Sequence, residues 1–307
     1  MSALRIAVVG VGHLGQHHAR LLSSMAGVEL AAVVDVNGER AAEIAGKYGT
    51  EALTDASQLF GRVDAVSVAT PTSTHVDIAL PFVNAGVAVL VEKPLAASLE
   101  EADLLLAAAA ARGAIVATGH TERFNPAVVM ATPLVTAPRF IEIHRLGTFP
   151  ERSLDIDVIF DLMIHDLDLL LSVVKSPVAS IEAVGVNVLT PRVDIANARL
   201  RFESGCIANL TASRISRDRV RKARFFQSDA YISIDYASQE VEVYRLVRAD
   251  GGRPGIQGGK LDVTRDEPLH RELLDFVAVV QAKTRPGVTG QDGRDALALA
   301  TRIAELM

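Results

Sequence analysis

Two patterns of hydrophobic and polar residues divide the chain near residue 120. Before it, apolar runs rich in Val, Ala, Ile and Leu alternate with helix-like stretches, as in strands that are buried on both faces of a parallel sheet. The predicted strands are Arg5–Gly10, Val28–Val34, Val63–Ala69, Val87–Val91 and Ala114–Thr118. The predicted helices between them are Leu14–Met25, Glu39–Tyr48 and Ser98–Arg112, and we expect Pro81 to kink or restart a further helix. Alternation of this length predicts a doubly wound α/β domain over residues 1–120.

After residue 120 the pattern changes to period-two alternation, which is typical of a sheet with one buried face. The predicted strands are Ile181–Leu189, Val193–Glu203, Cys206–Ser213, Lys222–Phe226, Tyr231–Asp235 and Glu240–Val247. We expect helices over Ile156–Val174, Pro268–Lys283 and Gly293–Met307, and a flexible loop over Asp250–Gly259. Residues 121–307 are thus expected to form an α+β domain with a large, mostly antiparallel sheet. Few helices remain to cover that sheet, so one face needs a partner, and we expect a homodimer or homotetramer.

Composition narrows the function classes without pointing to one. With 307 residues, 49% of them hydrophobic, the chain can build about two cores. A net charge of −6 argues against nucleic acid or an anionic membrane as partner. A single cysteine, Cys206, excludes an intramolecular disulfide. Neither a signal peptide nor a long apolar segment is recognisable, so the expected location is the cytoplasm.

A glycine motif follows the first predicted strand. Gly10, Gly12 and Gly15 match G-x-G-x-x-G at the start of a helix, and Asp35 lies twenty residues beyond Gly15 at the end of the second strand. Glycines allow a tight turn and close approach of a pyrophosphate, which the free N–H groups of the helix can bind. A carboxylate at the position of Asp35 binds ribose hydroxyls and repels a 2′-phosphate, which favours NAD, although Arg40 is close enough to keep NADP open. His13 is expected to touch the pyrophosphate.

Acid–base candidates occur at two places. Lys93 follows the strand Val87–Val91, and ligands of doubly wound sheets bind at the carboxyl ends of strands. An ammonium there can stabilise developing alkoxide charge. In the helix Ile156–Val174, polar residues recur at helical spacing, and we expect one stripe made of Asp157, Asp161, His165, Asp168 and Ser172. Asp161 can orient His165, which then accepts a hydroxyl proton.

Other polar residues have two interpretations. Arg123 and Asn125 begin the second domain and are candidates for substrate contacts, but they can equally form an ion pair and a helix cap. The basic stretch Arg214–Arg224 fits a solvated edge, a phosphorylated substrate or a neighbouring subunit. Metal-ligand spacing of Cys and His is not recognisable, and no metal is expected.

The combination of motifs resembles the glucose–fructose oxidoreductase / inositol dehydrogenase (Gfo/Idh/MocA) family. The resemblance rests on the glycine turn, on Ala69–His75 followed by Glu92-Lys93-Pro94, and on Asp161–Asp168, in this order along the chain. It implies a Rossmann domain, a second domain with an antiparallel sheet, and oxidation or reduction of sugar-like hydroxyl compounds with NAD(P). It also implies that Lys93, Asp161 and His165 are catalytic. The cofactor contacts implied besides the glycine turn, His13 and Asp35 are Leu14, Thr70, Pro71, His75 and Glu92.

Three segments narrow the resemblance to one subgroup. Residues 120–126, 160–171 and 221–236 look most similar to family members that oxidise the 3-hydroxyl of UDP-N-acetylglucosamine for lipid A precursors. The expected partner is therefore a small-molecule sugar or nucleotide sugar. An inositol or free-sugar dehydrogenase, reduction of another carbonyl compound, and a non-catalytic NAD-sensing regulator stay open as alternatives.

Overall fold

The computed structural model describes residues 3–149, 156–247 and 255–307. They divide into two compact units. The first contains residues 1–121 and 269–297, and the second contains residues 122–268 and 298–307. The expected boundary after residue 120 therefore lies within one residue of the division, but residues 269–297 join the first unit rather than the second. The buried side chains of Leu273, Phe276 and Val277 explain this, because they complete the apolar core of the first unit.

The first unit is a doubly wound α/β fold, as the alternation of strands and helices predicts. Its six strands are all parallel, in the order β3-β2-β1-β4-β5-β6. The strands are β1 (Leu4–Val9), β2 (Val28–Val34), β3 (Glu51–Leu53), β4 (Ala65–Val68), β5 (Ala88–Glu92) and β6 (Val116–Gly119). The helices are α1 (Gly15–Ser23), α2 (Gly38–Tyr48), α3 (His75–Asn84) and α4 (Leu99–Arg112). The short edge strand β3 has only three residues, too few for a pattern that sequence analysis could detect.

Helix α3 runs through Pro81 without restarting. The proline lacks an N–H for the carbonyl of Asp77, one turn earlier. Both residues are exposed, so water can bond that carbonyl and the helix tolerates the proline.

The second unit is built on an eight-stranded sheet in the order β14-β13-β12-β11-β7-β10-β9-β8. Neighbouring strands are antiparallel except for the pair β7 and β10. The strands are β7 (Phe140–Leu146), β8 (Val178–Val186), β9 (Ile195–Phe202), β10 (Ile207–Ser213), β11 (Val220–Phe226), β12 (Ala230–Asp235), β13 (Glu240–Val247) and β14 (Gly255–Leu261). The helices are α5 (Pro126–Ala131) and α6 (Ile164–Val173). The expected large, mostly antiparallel sheet is confirmed.

Two strands of this sheet differ from the sequence expectation. Strand β7 was not predicted, and it occupies the centre of the sheet. The expected loop over Asp250–Gly259 is wrong from Gly255 onwards, since Gly255–Leu261 pairs with β13; residues 250–254 lie outside the described part. Gly258 explains why a glycine-rich segment forms a strand here. A side chain at Gly258 would overlap the backbone of Val243 and Tyr244, so glycine is what permits the close pairing.

The last two helices of the chain are α7 (Pro268–Ala282) and α8 (Gly290–Ala304). The beginning of α8 lies against β6, where a Cβ at Gly293 would clash with Thr118 and a Cβ at Gly290 with Val116. This close approach, which only glycine allows, accounts for the place of residues 290–297 in the first unit.

Candidate functional site

The three glycines of the turn after β1 have different reasons to be glycine. Gly10 has a positive φ of 84°, and a Cβ there would lie 2.7 Å from the carbonyl oxygen of Ala69. A Cβ at Gly15 would overlap the carbonyl of Gly10. Gly12 has no atom within 4 Å of the place where its Cβ would be. The fold itself therefore requires the first and third glycines, whereas the open space at Gly12 fits a ligand that approaches the backbone closely, as a pyrophosphate does.

The N-terminus of α1 is open at this turn. Its N-cap residue, Leu14, makes no side-chain cap, and the first turn carries no acidic residue. His13 and Leu14 are both exposed beside it, and the His13 ring touches His17 edge-on with 5.9 Å between ring centroids. Free N–H groups and the positive end of the helix dipole make such a terminus suitable for a phosphate. The predicted cofactor contacts of His13 and Leu14 stay predictions.

Asp35 follows β2 and reaches the glycine turn. One carboxylate oxygen accepts a hydrogen bond from the Val11 N–H at 3.0 Å, and the other accepts one from the Asn37 N–H at 3.0 Å. Each oxygen keeps a further lone pair, so the half-buried carboxylate can also accept from ribose hydroxyls. The predicted ribose contact of Asp35 stays a prediction.

Arg40 is the residue that left NADP possible as the cofactor. Its side chain is held by hydrogen bonds within the first unit. Its Nε donates to the Val11 carbonyl at 2.9 Å, and its other nitrogens donate to Glu43 at 2.7 Å and Gln16 at 3.0 Å. A 2′-phosphate would have to compete with these partners for the guanidinium.

The segment after β4 places Thr70, Pro71 and His75 at the same edge of the sheet as the glycine turn. Thr70 and Pro71 are at least partly accessible, whereas His75 is only 1% exposed. Its two ring nitrogens lie 2.9 Å from the carbonyl oxygens of Thr70 and Pro94. Burial lowers the pKa of His75, and the hydrogen bonds to these carbonyls oppose that shift. His75 thus acts on the shape of the loop, and the predicted contact with the cofactor stays a prediction.

Glu92 and Lys93 stand at the end of β5. Lys93 is half-buried, but Glu92 is only 6% exposed. One Glu92 oxygen lies 3.1 Å from Nε2 of His18, and the other accepts a bond from the Lys93 N–H at 3.2 Å. The glutamate side chain is thus engaged inside the first unit, and its predicted contact with the cofactor stays a prediction.

In the second unit, Asp161 and His165 lie on consecutive turns, both half-buried. The predicted helix over Ile156–Val174 is not uniform, because residues Ile159–Met163 form a wider π-helical turn before α6 begins. The extra residue per turn rotates the side chains that follow. Asp168 and Ser172 follow His165 within the regular helix α6, where Asp168 is 2% exposed and Ser172 is half-buried, and the predicted single stripe stays a prediction. π-helical turns occur frequently at functional sites, and the predicted acid–base roles of Asp161 and His165 stay predictions.

The alternatives considered for Arg123 and Asn125 are both present. Arg123 lies 3.7 Å from the carboxylate of Asp168. The buried Asn125 side chain caps α5 by accepting from the Ala127 N–H at 3.0 Å, and it donates to Glu122 and to the Tyr236 carbonyl. Ion pair and helix cap describe these residues in the structure, and their contacts with substrate stay predictions.

Arg145 forms a buried ion cluster on β7. Its guanidinium donates twice to Asp166, at 2.8 Å each, and once to Glu122 at 3.0 Å. The Arg145 group also lies 5.3 Å from the centroid of the Tyr236 ring. Burial raises the pKa of Asp166, while the charge of Arg145 opposes the shift.

Three of the six basic residues in the stretch 214–224 form ion pairs with acidic residues. Arg214 is buried against Asp194 at 2.8 Å, and Lys222 and Arg224 pair with Asp235 and Glu142. Within the part of the chain that the structure describes, the side chains of Arg217 and Arg221 make no hydrogen bond or ion pair, although the charges of Glu122 and Asp166 act on Arg221. A phosphate could bind both cations, and at Arg221 it would compete with the attraction of Glu122 and Asp166.

Several of these side chains escaped sequence analysis. His18 follows Gly15 by three residues, and this spacing, which places it on the face of α1 that packs against the sheet, is the signal that the sequence offered. Arg145 and Asp166 offered none, because strand β7 was itself missed. In the described residues, no group of three or more His, Cys, Asp or Glu could hold a metal ion, and no helix is long and apolar enough to cross a membrane.

Comparison with known proteins gives one family for both units. Residues 4–120 match the model of the oxidoreductase family with an NAD-binding Rossmann fold, and residues 140–233 match the GFO/IDH/MocA C-terminal domain. Together these matches cover more than half of the chain.

Curated relatives span the whole chain. A UDP-N-acetylglucosamine 3-dehydrogenase from Acidithiobacillus ferrooxidans is 40% identical over 305 residues, which are 99% of this chain and 97% of that protein. A solved structure of the enzyme of that name from the same organism superposes with a TM-score of 0.93 at 38% identity, covering 100% of this chain and 98% of the other. An inositol 2-dehydrogenase from Rhizobium meliloti is 27% identical over 97% of this chain and 94% of its own.

Proposed function

This chain belongs to the Gfo/Idh/MocA family of NAD-binding oxidoreductases, and we propose that it oxidises the 3-hydroxyl of UDP-N-acetylglucosamine to a ketone. The observation that carries the proposal is the 40% identity, over almost the full length of both chains, with a dehydrogenase of that name. The ketone can then accept an amino group, and we assign the reaction to the supply of lipid A precursors. We assign it to the cytoplasm, a compartment in which a single reduced cysteine such as Cys206 is ordinary.

The first unit supplies the cofactor site. Bound NAD provides the carbon that accepts a hydride from C3 of the sugar. The open N-terminus of α1 and the exposed backbone at Gly12 fit the pyrophosphate, and Asp35 fits the adenosine ribose. Because the Asp35 carboxylate would repel a 2′-phosphate and Arg40 is already engaged, the unit favours NAD over NADP.

The acid–base work falls to Lys93, Asp161 and His165. As hydride leaves C3, the hydroxyl must lose a proton, and a neutral imidazole such as that of His165 can accept it. Asp161, one turn earlier, orients the imidazole and stabilises it when protonated. Lys93 donates a hydrogen bond from its ammonium to the same oxygen and stabilises the developing alkoxide.

Arg217 and Arg221 are suited to the diphosphate of the substrate. Both are exposed, and neither side chain forms an ion pair within the described residues, although the charges of Glu122 and Asp166 attract Arg221. Arginine binds phosphate oxygens through paired N–H groups. The predicted substrate contacts of Arg123 and Asn125 have less support, because both side chains already have partners.

Inositol oxidation is the second candidate. It is favoured by the inositol 2-dehydrogenase that matches 97% of this chain, although at the lower identity of 27%. Inositol carries no phosphate, so Arg217 and Arg221 would have no role in binding it.

A substrate comparison tests the proposal. The purified protein with NAD is offered UDP-N-acetylglucosamine, UDP-glucose, myo-inositol or glucose at equal concentration, with hydroxylamine present to trap the ketone, and NADH formation is followed. We expect the highest kcat/KM with UDP-N-acetylglucosamine, and deuterium placed at C3 of its sugar should appear in the NADH. Preference for inositol, or deuterium transfer from C4 instead of C3, would contradict the proposal.

We further propose that the protein forms a homodimer or homotetramer through the sheet of the second unit. A row of aromatic rings crosses one face of this sheet from strand to strand, with centroids 5.2–6.2 Å apart: Phe140, Phe226, Tyr231 and Tyr244. Tyr244 is 39% exposed. Light scattering of the parent and of Tyr231→Lys tests this. We expect an oligomer for the parent and a smaller species for the variant, and a monomeric parent at micromolar concentration would refute it.

A further inference from the structure

A hydroxyl, an imidazole and a carboxylate form a buried row of hydrogen-bonded groups that ends at the residue before Lys93. Ser67 on β4 lies 2.8 Å from Nδ1 of His18, and Nε2 of His18 lies 3.1 Å from Glu92 at the end of β5. His18 and Ser67 are 0% exposed and Glu92 is 6% exposed. This row of side chains thus links α1, the helix that begins at the glycine turn, to the residue before Lys93, and it lies wholly within the first unit.

The direction of the hydrogen bonds follows from the charge of Glu92. Burial by itself would raise the pKa of Glu92, but the hydrogen bond and charge of His18, with the charge of Lys93, lower it below its ordinary value. The carboxylate is therefore ionised and has only lone pairs, so Nε2 of His18 must carry the hydrogen. Whether the imidazole is neutral or protonated, His18 donates to Glu92.

The carboxylate has little freedom to move. Its second oxygen accepts from the Lys93 N–H at 3.2 Å. On β6, a Cβ added to Gly119 would lie 2.9 Å from the Glu92 carboxyl carbon, so this glycine leaves only the space that the carboxylate fills. Two hydrogen bonds and the backbone at Gly119 therefore keep the Glu92 carboxylate in one position.

Three titratable groups face this carboxylate: His18 on α1, His75 on α3 and Lys93. His75 is held between two carbonyl oxygens, and burial lowers its pKa below the ordinary value while the hydrogen bonds to these carbonyls oppose the shift. Lys93 is half-buried, where solvent screens its attraction to a neighbouring carboxylate less than on an open surface.

We propose that Glu92, anchored by His18, is a positioning residue for Lys93: it fixes the lysine backbone and places a negative charge beside the lysine side chain. The inference rests on the proposed function, in which Lys93 stabilises an alkoxide. A lysine kept charged can donate to the oxygen but cannot take a proton from it. The role of proton acceptor is therefore left to His165.

The test measures the charge of Lys93 without any substrate. The protein is treated with an amine-specific acylating reagent across a range of pH, and mass spectrometry gives the pH at which Lys93 becomes reactive. In Glu92→Gln, loss of the opposite charge should make Lys93 reactive at lower pH than in the parent. Glu101→Gln is the matched control, since Glu101 also accepts from a backbone N–H, that of Ala97, but is only half-buried; here no change is expected.

His18→Gln gives a second, independent variant. Without its imidazole partner, Glu92 is expected to take up a proton at higher pH, so the Lys93 profile should move in the same direction by less. His17→Gln changes the residue before His18 in the same helix and should leave the pH profile of Lys93 reactivity unchanged. An unchanged Lys93 profile in both Glu92→Gln and His18→Gln would overturn the proposal, even where NADH binding is weakened. Because neither readout needs a sugar substrate, a wrong substrate assignment cannot imitate this result.

Discussion

Each unit of this protein buries an ion cluster, and the two clusters differ in their cations. In the first unit, Glu92 is held by the imidazole of His18, whose Nε2 lies 3.1 Å from the carboxylate. In the second unit, Asp166 is held twice by Arg145, whose guanidinium is always charged. Both carboxylates are almost fully buried.

The comparison teaches that buried charge serves different purposes in the two units. Arg145 joins β7 to α6 and to Glu122 with three hydrogen bonds of 2.8–3.0 Å, which is suited to fixing an architecture. His18 and Glu92 lie directly behind a predicted catalytic lysine, where a weaker, titratable partner leaves the carboxylate charge to act on its neighbour. The first arrangement should matter most for stability, and the second for chemistry.

The largest effect is expected from breaking the arginine cluster. Arg145→Met leaves Asp166 buried without its partner, and breaking one side of such a pair costs about 3–5 kcal/mol. Urea unfolding followed by circular dichroism measures the loss. Arg199→Met removes an exposed arginine from the same sheet and should cost less than about 1 kcal/mol. Equal losses of unfolding free energy in the two variants would show that the cluster stabilises the second unit no more than an exposed arginine does.

A smaller effect is expected at the cofactor site of the first unit. Asp35→Ala removes the carboxylate that would repel a 2′-phosphate, so the preference for NADH over NADPH should fall by about tenfold, or about 1.4 kcal/mol. Fluorescence titration with each cofactor gives the two affinities. Asp77→Ala, an exposed change on α3, should leave the ratio as it is. If Asp35→Ala still prefers NADH over NADPH as strongly as the parent does, the preference arises from other residues.

The smallest effect concerns the acid stability of the first unit. Since burial lowers the pKa of His75 below its ordinary 6.5, the unfolded chain binds a proton at higher pH than the folded chain does. This contribution is complete above the unfolded pKa and is lost as pH falls through the folded one. In His75→Gln the decline of unfolding free energy below about pH 6.5 should be shallower, by a fraction of the roughly 1.4 kcal/mol per pH unit that one proton gives. An equal slope in parent and variant would contradict it, and His17→Gln serves as the control.

The same contrast explains how much the sequence revealed. In the first unit, function depends on short-range spacing: the glycines of the turn, Asp35 and Lys93 all follow predicted buried strands. Carboxyl ends of parallel strands share one edge of a sheet, so order along the chain was enough to group these residues.

In the second unit, the decisive contacts depend on strand register. Arg145 and Asp166 are 21 residues apart, and the strand that carries Arg145 was missed because Phe140–Leu146 contains Glu142, His144 and Arg145 among its seven residues. Its alternation is hidden, because a charged residue, Arg145, occupies an inward position. The π-helical turn before α6 was equally invisible, since residue spacing alone cannot reveal a local change in helix pitch.

The pH dependence of kcat in Lys93→Ala and His165→Ala tests most directly the claim that a charged lysine and a neutral histidine divide the chemistry. Each variant should lower kcat by about 10²–10⁴. We predict that oxidation by the parent rises with pH through an apparent pKa near neutrality, and that this rise disappears in His165→Ala but remains in Lys93→Ala. A rise that persists in His165→Ala and vanishes in Lys93→Ala would make Lys93 the base and contradict the account.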